Sequence, residues 1–353
     1  MSRVLSTWAT EAHAPGKLLL TGEYAVLTGA PAIVVAVGVQ AAARLSPSAQ
    51  MQLNVDGRLY PFVVEPAGRL HWSQPAPAGR GELVETVMAE LSAVGYGQAL
   101  LPVEIRLDSS EFSVAGAAGE RLKLGLGSSA AVLVSLLAAL NATSQLGLDV
   151  DRLRALACAA HRRFQGDRGS GVDVMTAVHG SVLALRRDQA GKDIQPETLG
   201  WPDGLELVMV WSGQPASTPA MIARLEAFGA RRPTHARCHL ELLTDKAGQA
   251  VDAWRTADVG RIMTSSADYF QALRNLDRDA GIGIVTAAHE RLRLLAEREG
   301  AVYKTSGAGG GDLGLAMADD PEIAARVRFA FEAAGHTVID RPLAVPGVCV
   351  GPV

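Results

Sequence analysis

A two-domain α+β fold is what this chain predicts, on three observations. The first half opens with apolar, strand-like runs, two of them folded back about Asp56-Gly57. The second half carries four successive helical patterns, at 218–229, 233–255, 257–279 and 284–299, before it returns to strands. Between the halves, near residue 200, lies a stretch rich in glycine, proline and polar residues, which divides the chain into 1–200 and 201–353.

Taken in order, residues 33–39, 51–55 and 59–64 read as strands. The last two form a hairpin, because Asp-Gly suits the positive-φ positions of a tight turn. Residues 65–80, rich in Pro, Gly and Ala around His71 and Trp72, read as a loop. Helical patterns follow at 81–94, 129–146 and 151–164, with a cleanly alternating strand at 103–107 after the first of them. A strand at 181–185 comes next, and then a run at 205–211 that is apolar but for Glu206, the mark of a strand buried on both faces. In the last of the four helices beyond it, Val285, Ala288, Leu292 and Leu295 share one face. Strands into and out of a glycine run at 307–311, a helix at 320–335 and a strand at 336–340 complete the reading.

Composition narrows the function. With 353 residues and 48% hydrophobic content, the chain is long enough to bury a large core. A formal net charge of −4, with lysine and arginine dispersed along the chain, excludes nucleic acid as the principal ligand. Cys158, Cys238 and Cys349 are far apart and fit neither a disulfide framework nor a metal-binding spacing. No leader-like apolar region follows Arg3, and no run reaches the roughly 18 apolar residues of a membrane span, so the expectation is a cytoplasmic protein with no membrane partner.

Three segments carry chemistry. Residues 125–131, GLGSSAA, form a glycine turn that runs straight into the helix former VLVSLLAAL. Free N–H groups of a first helical turn and the helix dipole make such a turn an anion site, and Ser128 and Ser129 add hydroxyls that cap the helix or reach a metal. In residues 13–27, HAPGKLLLTGEYAVL, Lys17 stands alone in an apolar stretch, which is costly unless it meets an anion. Residues 304–312, KTSGAGGGD, hold four glycines in five positions, as a backbone does when it must pack closely on a ligand or on another chain segment.

In this order and spacing the three segments resemble the GHMP kinases, from about residue 13 to about residue 345. Within that superfamily the resemblance leans to the phosphomevalonate kinases, through GEYAVLTGAPAIVVAV, LKLGLGSSA, KTSGAGGGDLG with Asp312, and above all WSGQPAST at 211–218. The resemblance implies an N-terminal α+β kinase domain and a ferredoxin-like C-terminal domain with the site in the cleft between them. It implies ATP and Mg2+, a small phosphorylated acceptor as partner, and a monomer or homodimer.

Residue by residue, it implies that Lys123, Gly125, Leu126, Gly127, Ser128, Ser129 and Ala130 cradle the ATP phosphates, with Ser129 the metal ligand and Ser128 its alternative. Lys17 would bridge donor and acceptor, and Asp173 stands where the superfamily carries its catalytic aspartate. Acceptor contacts would come from Lys17, Arg168, Ser170, Ser212, Ser217, Lys304, Ser306, Gly307, Ala308 and Gly309. One departure stands out. Where mevalonate kinases carry a helical glutamate that completes the magnesium shell, this helix offers His161, Arg162 and Arg163.

Overall fold

The computed structural model describes residues 9–65, 68–115, 121–166, 170–187 and 194–352. In chain order its strands are β1 (Thr10–Thr21), β2 (Ala32–Pro47), β3 (Gln52–Val55), β4 (Arg58–Val64), β5 (Leu70–Trp72), β6 (Val103–Asp108), β7 (Ser113–Ala115), β8 (Arg121–Lys123), β9 (Val182–Arg187), β10 (Ile194–Leu199), β11 (Glu206–Trp211), β12 (Val302–Thr305), β13 (Leu313–Ala318), β14 (Thr337–Ile339) and β15 (Cys349–Pro352). The helices are α1 (Arg80–Ala93), α2 (Ser128–Ser144), α3 (Val150–Phe164), α4 (Val172–His179), α5 (Thr218–Arg231), α6 (Pro233–Arg255), α7 (Val259–Ala280), α8 (Ala287–Arg298) and α9 (Pro321–Ala333).

The larger sheet runs β10-β9-β2-β6-β3-β4-β5, with β1 paired to β2 on one side and to β15 on the other. Asp56 and Gly57, at φ 52° and 85°, turn β3 into β4 as their sequence requires. Against this sheet lies α2, whose residues from Ala130 to Leu140 are all buried, so a helix apolar on every side has found a place with neighbours on every side. The smaller sheet runs β12-β13-β11-β14, with every pair antiparallel. By chain position that order is 2-3-1-4, the arrangement of a ferredoxin-like unit in which α5 to α8 fill the first crossover and α9 the second.

The smaller sheet is a middle layer. Met209, Leu313, Leu315 and Met317 join the core shared with β1, β2 and α2, while Val208, Val210, Ala316 and Ala318 join a second core beneath α5 to α9. Alternation across two buried faces is why 207–211 and 313–318 read as unbroken apolar runs.

Several elements differ from expectation. Residues 65–80 contain the short strand β5, which pairs with β4 through Val64 and Leu70. The stretch before residue 200 holds β10, an edge strand paired to β9, where Pro196 is tolerated because an edge has one unpaired side. Asp173 lies in the first turn of a short helix, α4, that the sequence reading did not include. The final helix of the four begins at Ala287, after Ile282 and Ile284 have been buried outside any helix or strand.

Candidate active site

Lys17 lies on β1 just past a shift in the β1–β2 register, where Pro15 faces Gln40 and Gly16 faces Val37, so that Gly38 and Val39 bulge from β2. Lys17 itself stays opposite Ala36, and its amide donates to the Leu126 carbonyl at 2.9 Å, clipping the strand to the phosphate loop. Its Nζ lies 3.6 Å from Asp173 Oδ1, and both side chains keep a modest exposure of 14% and 26%.

The two helices that meet at this point begin alike. Helices α3, α5, α7, α8 and α9 start on Asp149, Ser217, Asp258, Thr286 and Asp320, each of which accepts a first-turn N–H through its side chain. By contrast α2 and α4 start on left-handed glycines, Gly127 and Gly171, with no side-chain cap. Neither Ser128 nor Ser129 is the cap residue, and among the described residues no side chain accepts from the first-turn N–H groups of either helix, as an anion site needs. A Cβ on Gly127 would come within 3.1 Å of Lys17 Cγ, so glycine also lets the lysine pass.

Ser129 Oγ lies 3.0 Å from Nε2 of His161, an imidazole only 3% exposed on the inner face of α3. Burial holds the His161 pKa below the usual histidine range, against the opposing pull of the nearby Asp173 charge. Ser128 is half-buried, Leu126 and Ala130 point into the core, and Lys123 is exposed on β8.

The third glycine segment is fastened from several sides. Ser306 Oγ donates to the Leu19 carbonyl at 2.9 Å, Tyr24 donates to the Ala308 carbonyl at 2.5 Å, and the buried His289 lies with Nε2 2.9 Å from the Gly311 carbonyl. A Cβ on Gly309 would fall 2.6 Å from the Ile284 carbonyl, and one on Gly311 2.5 Å from the Gln214 carbonyl. The glycine run therefore answers to neighbouring chain at these positions, whereas Gly307 faces open space.

Lys304 requires a correction. Expected among the cations that meet the acceptor, it is sealed at 1% exposure against Glu23, with Nζ 2.5 Å from Oε1, and it donates also to the Thr305 carbonyl. The pair joins the first motif to the third inside the protein. The hydroxyls of Ser212 and Ser217 are likewise engaged locally, the first with the Gln214 carbonyl and the second as the α5 cap. Ser170 is half-buried just ahead of α4, and Arg168 lies outside the described residues.

Asp312, at the far end of the third segment, crosses to the phosphate loop. Its amide donates to the Gln214 carbonyl and its carbonyl accepts from Ser212, both at 2.8 Å, and its Oδ1 accepts from the Ala216 amide at 3.1 Å. A Cβ on Gly125 would lie 2.7 Å from Oδ2. Burial pushes the Asp312 carboxyl up from the usual range, opposed by the Ala216 N–H and the Lys17 charge.

Two uncapped helix ends, a lysine and an aspartate converge, which suits them to hold and neutralise phosphate oxygens. Among the described residues no cluster of three or more His, Cys, Asp and Glu side chains is built to hold a metal alone. A serine hydroxyl with a carboxylate close by fits Mg2+, which prefers oxygen and keeps phosphate and water ligands. Sequence reasoning registered His161 only as a departure and gave Glu23 no role; the signal for His161 is its place on the buried face with Leu153, Leu156, Ala157 and Ala160.

No helix among the described residues is long and apolar enough to cross a membrane. The family model for the GHMP kinases N terminal domain matches residues 83–181. The chain is 32% identical over 345 residues to the phosphomevalonate kinase of Streptomyces sp. strain CL190, covering 87% of this chain and 89% of that one. It is 27% identical over 324 residues to the mevalonate kinase of Archaeoglobus fulgidus, covering 88% and 94%. In fold it is similar to the Streptococcus pneumoniae phosphomevalonate kinase solved with phosphomevalonate and AMPPNP, with a TM-score of 0.76 at 21% identity over 94% and 99% of the two chains. Identity at the level of the Streptomyces enzyme, along nearly the whole of both proteins, is what common descent leaves, and the chain belongs to the GHMP kinase superfamily.

Proposed function

We propose that this GHMP kinase is a phosphomevalonate kinase, transferring the γ-phosphoryl group of ATP to the phosphate of 5-phosphomevalonate to give 5-diphosphomevalonate and ADP. The observation that carries the reading is the Asp312 clamp. It ties the WSGQPAST segment to the third glycine motif, the two features in which the chain resembles phosphomevalonate kinases, and brings both to the phosphate loop.

In this reading the uncapped ends of α2 and α4 hold phosphate oxygens, and Lys17, free to move between Asp173 and the reacting groups, neutralises charge shared by donor and acceptor. The bond from the γ-phosphorus to the bridging oxygen breaks as the bond to an acceptor phosphate oxygen forms. That oxygen needs no base, because a phosphate monoester with a second pKa of about 6 is mostly a dianion at pH 7. Ser129 would be the protein ligand of Mg2+, which would supply further charge neutralisation. Asp173 then orients Lys17.

A mevalonate kinase is the second reading, and the Lys17–Asp173 pair favours it, since a carboxylate beside a lysine also suits removal of a proton from a hydroxyl acceptor. Coupled ADP-release assays across phosphomevalonate, mevalonate and galactose separate the two. We expect kcat/KM for phosphomevalonate to exceed that for mevalonate at least about tenfold. Equal or reversed preference overturns the acceptor assignment and leaves the kinase intact.

A further inference from the structure

The wall of the phosphate site contains an imidazole that the reaction above does not use. His161 sits on α3 with 3% exposure, its Nε2 3.0 Å from Ser129 Oγ. A serine hydroxyl has one proton and two lone pairs, so what its proton is given to decides what its oxygen can hold. In the first turn of α2 an unassisted hydroxyl would donate to a backbone carbonyl or to a phosphate oxygen. Either choice turns lone pairs away from a cation.

A neutral imidazole at 3.0 Å offers another destination for that proton. We propose that His161 is a positioning residue: it accepts the Ser129 hydroxyl proton at Nε2 and so presents the Ser129 lone pairs to the magnesium of the bound nucleotide. The proposal rests on the reading of Ser129 as the protein ligand of that metal. The long side chain needed to reach from α3 to α2 is then the reason for a histidine at this place, and the ring's burial fixes its orientation. Phe164, stacked at 24° with ring centroids 6.5 Å apart, holds the ring from one side.

The test is the coupling between Mg2+ and ADP, measured by calorimetry on the full-length protein as the ratio of ADP dissociation constants without and with Mg2+. His161→Leu should lower that ratio about tenfold while metal-free ADP affinity stays within about twofold. His161→Gln, whose amide oxygen can accept the same proton, should recover most of the coupling. Ser129→Ala should lose as much as His161→Leu, and the double variant no more than either alone. Should His161→Leu not fold, His161→Asn, polar but too short to reach Ser129, takes its place. Coupling retained in the Leu or Asn variant, or ADP weakened equally with and without Mg2+, overturns the role of His161. Coupling retained in Ser129→Ala removes instead the metal assignment beneath it, and the proposal with it.

Discussion

Lys17 and Lys304 each stand beside a glycine motif, and the fold treats them in opposite ways. Lys17, on β1 beside the phosphate loop, keeps 14% of its side chain exposed and a partner at 3.6 Å, so its charge remains available to a ligand. Lys304, on β12 in the middle layer, is closed against Glu23. The sequence around each is apolar strand followed by glycine, and what separates them is tertiary: one strand passes beside the phosphate loop while the other runs through the core. The partial exposure of Lys17 was therefore legible and the burial of Lys304 was not. For Asp173, the phosphate-acceptor reading predicts orientation of Lys17 without proton removal. Asp173→Asn should lower kcat, yet the acidic limb of the pH–rate profile, set near the acceptor phosphate pKa of about 6, should persist in wild type and variant alike. A limb present in wild type and absent from an active, folded Asp173→Asn would make the carboxylate a general base.

Among elements, helix starts were the most informative and the least legible. The glycine-serine sequence at 125–129 reads equally as a capped helix and as an anion site, and only the fold places Gly127 at the cap with the serines inside the first turn. The long helices were clear because each has a continuous apolar face, whereas α4, β10 and β15 are short and owe their form to the strands and helices they lie on. The Asp312 clamp likewise joins segments far apart in sequence, so no local pattern announces it. Its energetic meaning can be tested. Asp312→Gly keeps the positive φ of 52° but releases the Ala216 amide from a charged acceptor, an interaction worth about 1.5–3 kcal/mol. We expect kcat/KM for the acceptor to fall at least about tenfold, with ADP affinity within about threefold of wild type; an unchanged acceptor kcat/KM would show the clamp to be idle.

At the scale of the whole molecule, the layering puts titratable groups where their protonation opposes folding. His289, with Nδ1 2.8 Å from the Tyr303 hydroxyl and Nε2 2.9 Å from the Gly311 carbonyl, is pushed by burial from its ordinary 6.5 down to about 4. Between those values the unfolded chain binds a proton that the folded chain refuses, so the stability contributed is complete above pH 6.5 and is lost as pH falls toward 4. His161, His179 and His336 are lowered in the same direction, again first by burial. Urea midpoints measured from pH 7.5 down to pH 4.5 should therefore decline, and His289→Gln should show a shallower decline from a lower starting stability; an equal slope would place the pH dependence elsewhere. The return of β15 to β1, with Thr10 opposite Pro352 and His13 opposite Cys349, has a consequence for biosynthesis. While a chain is being made, the strand that carries Lys17 can find β2 early but keeps an open edge until residues 349–352 clear the ribosome, and open edges recruit other strands. The Thr10–His13 edge of β1 is thus the last part of that strand to be paired, and it stays open to mispairing until then.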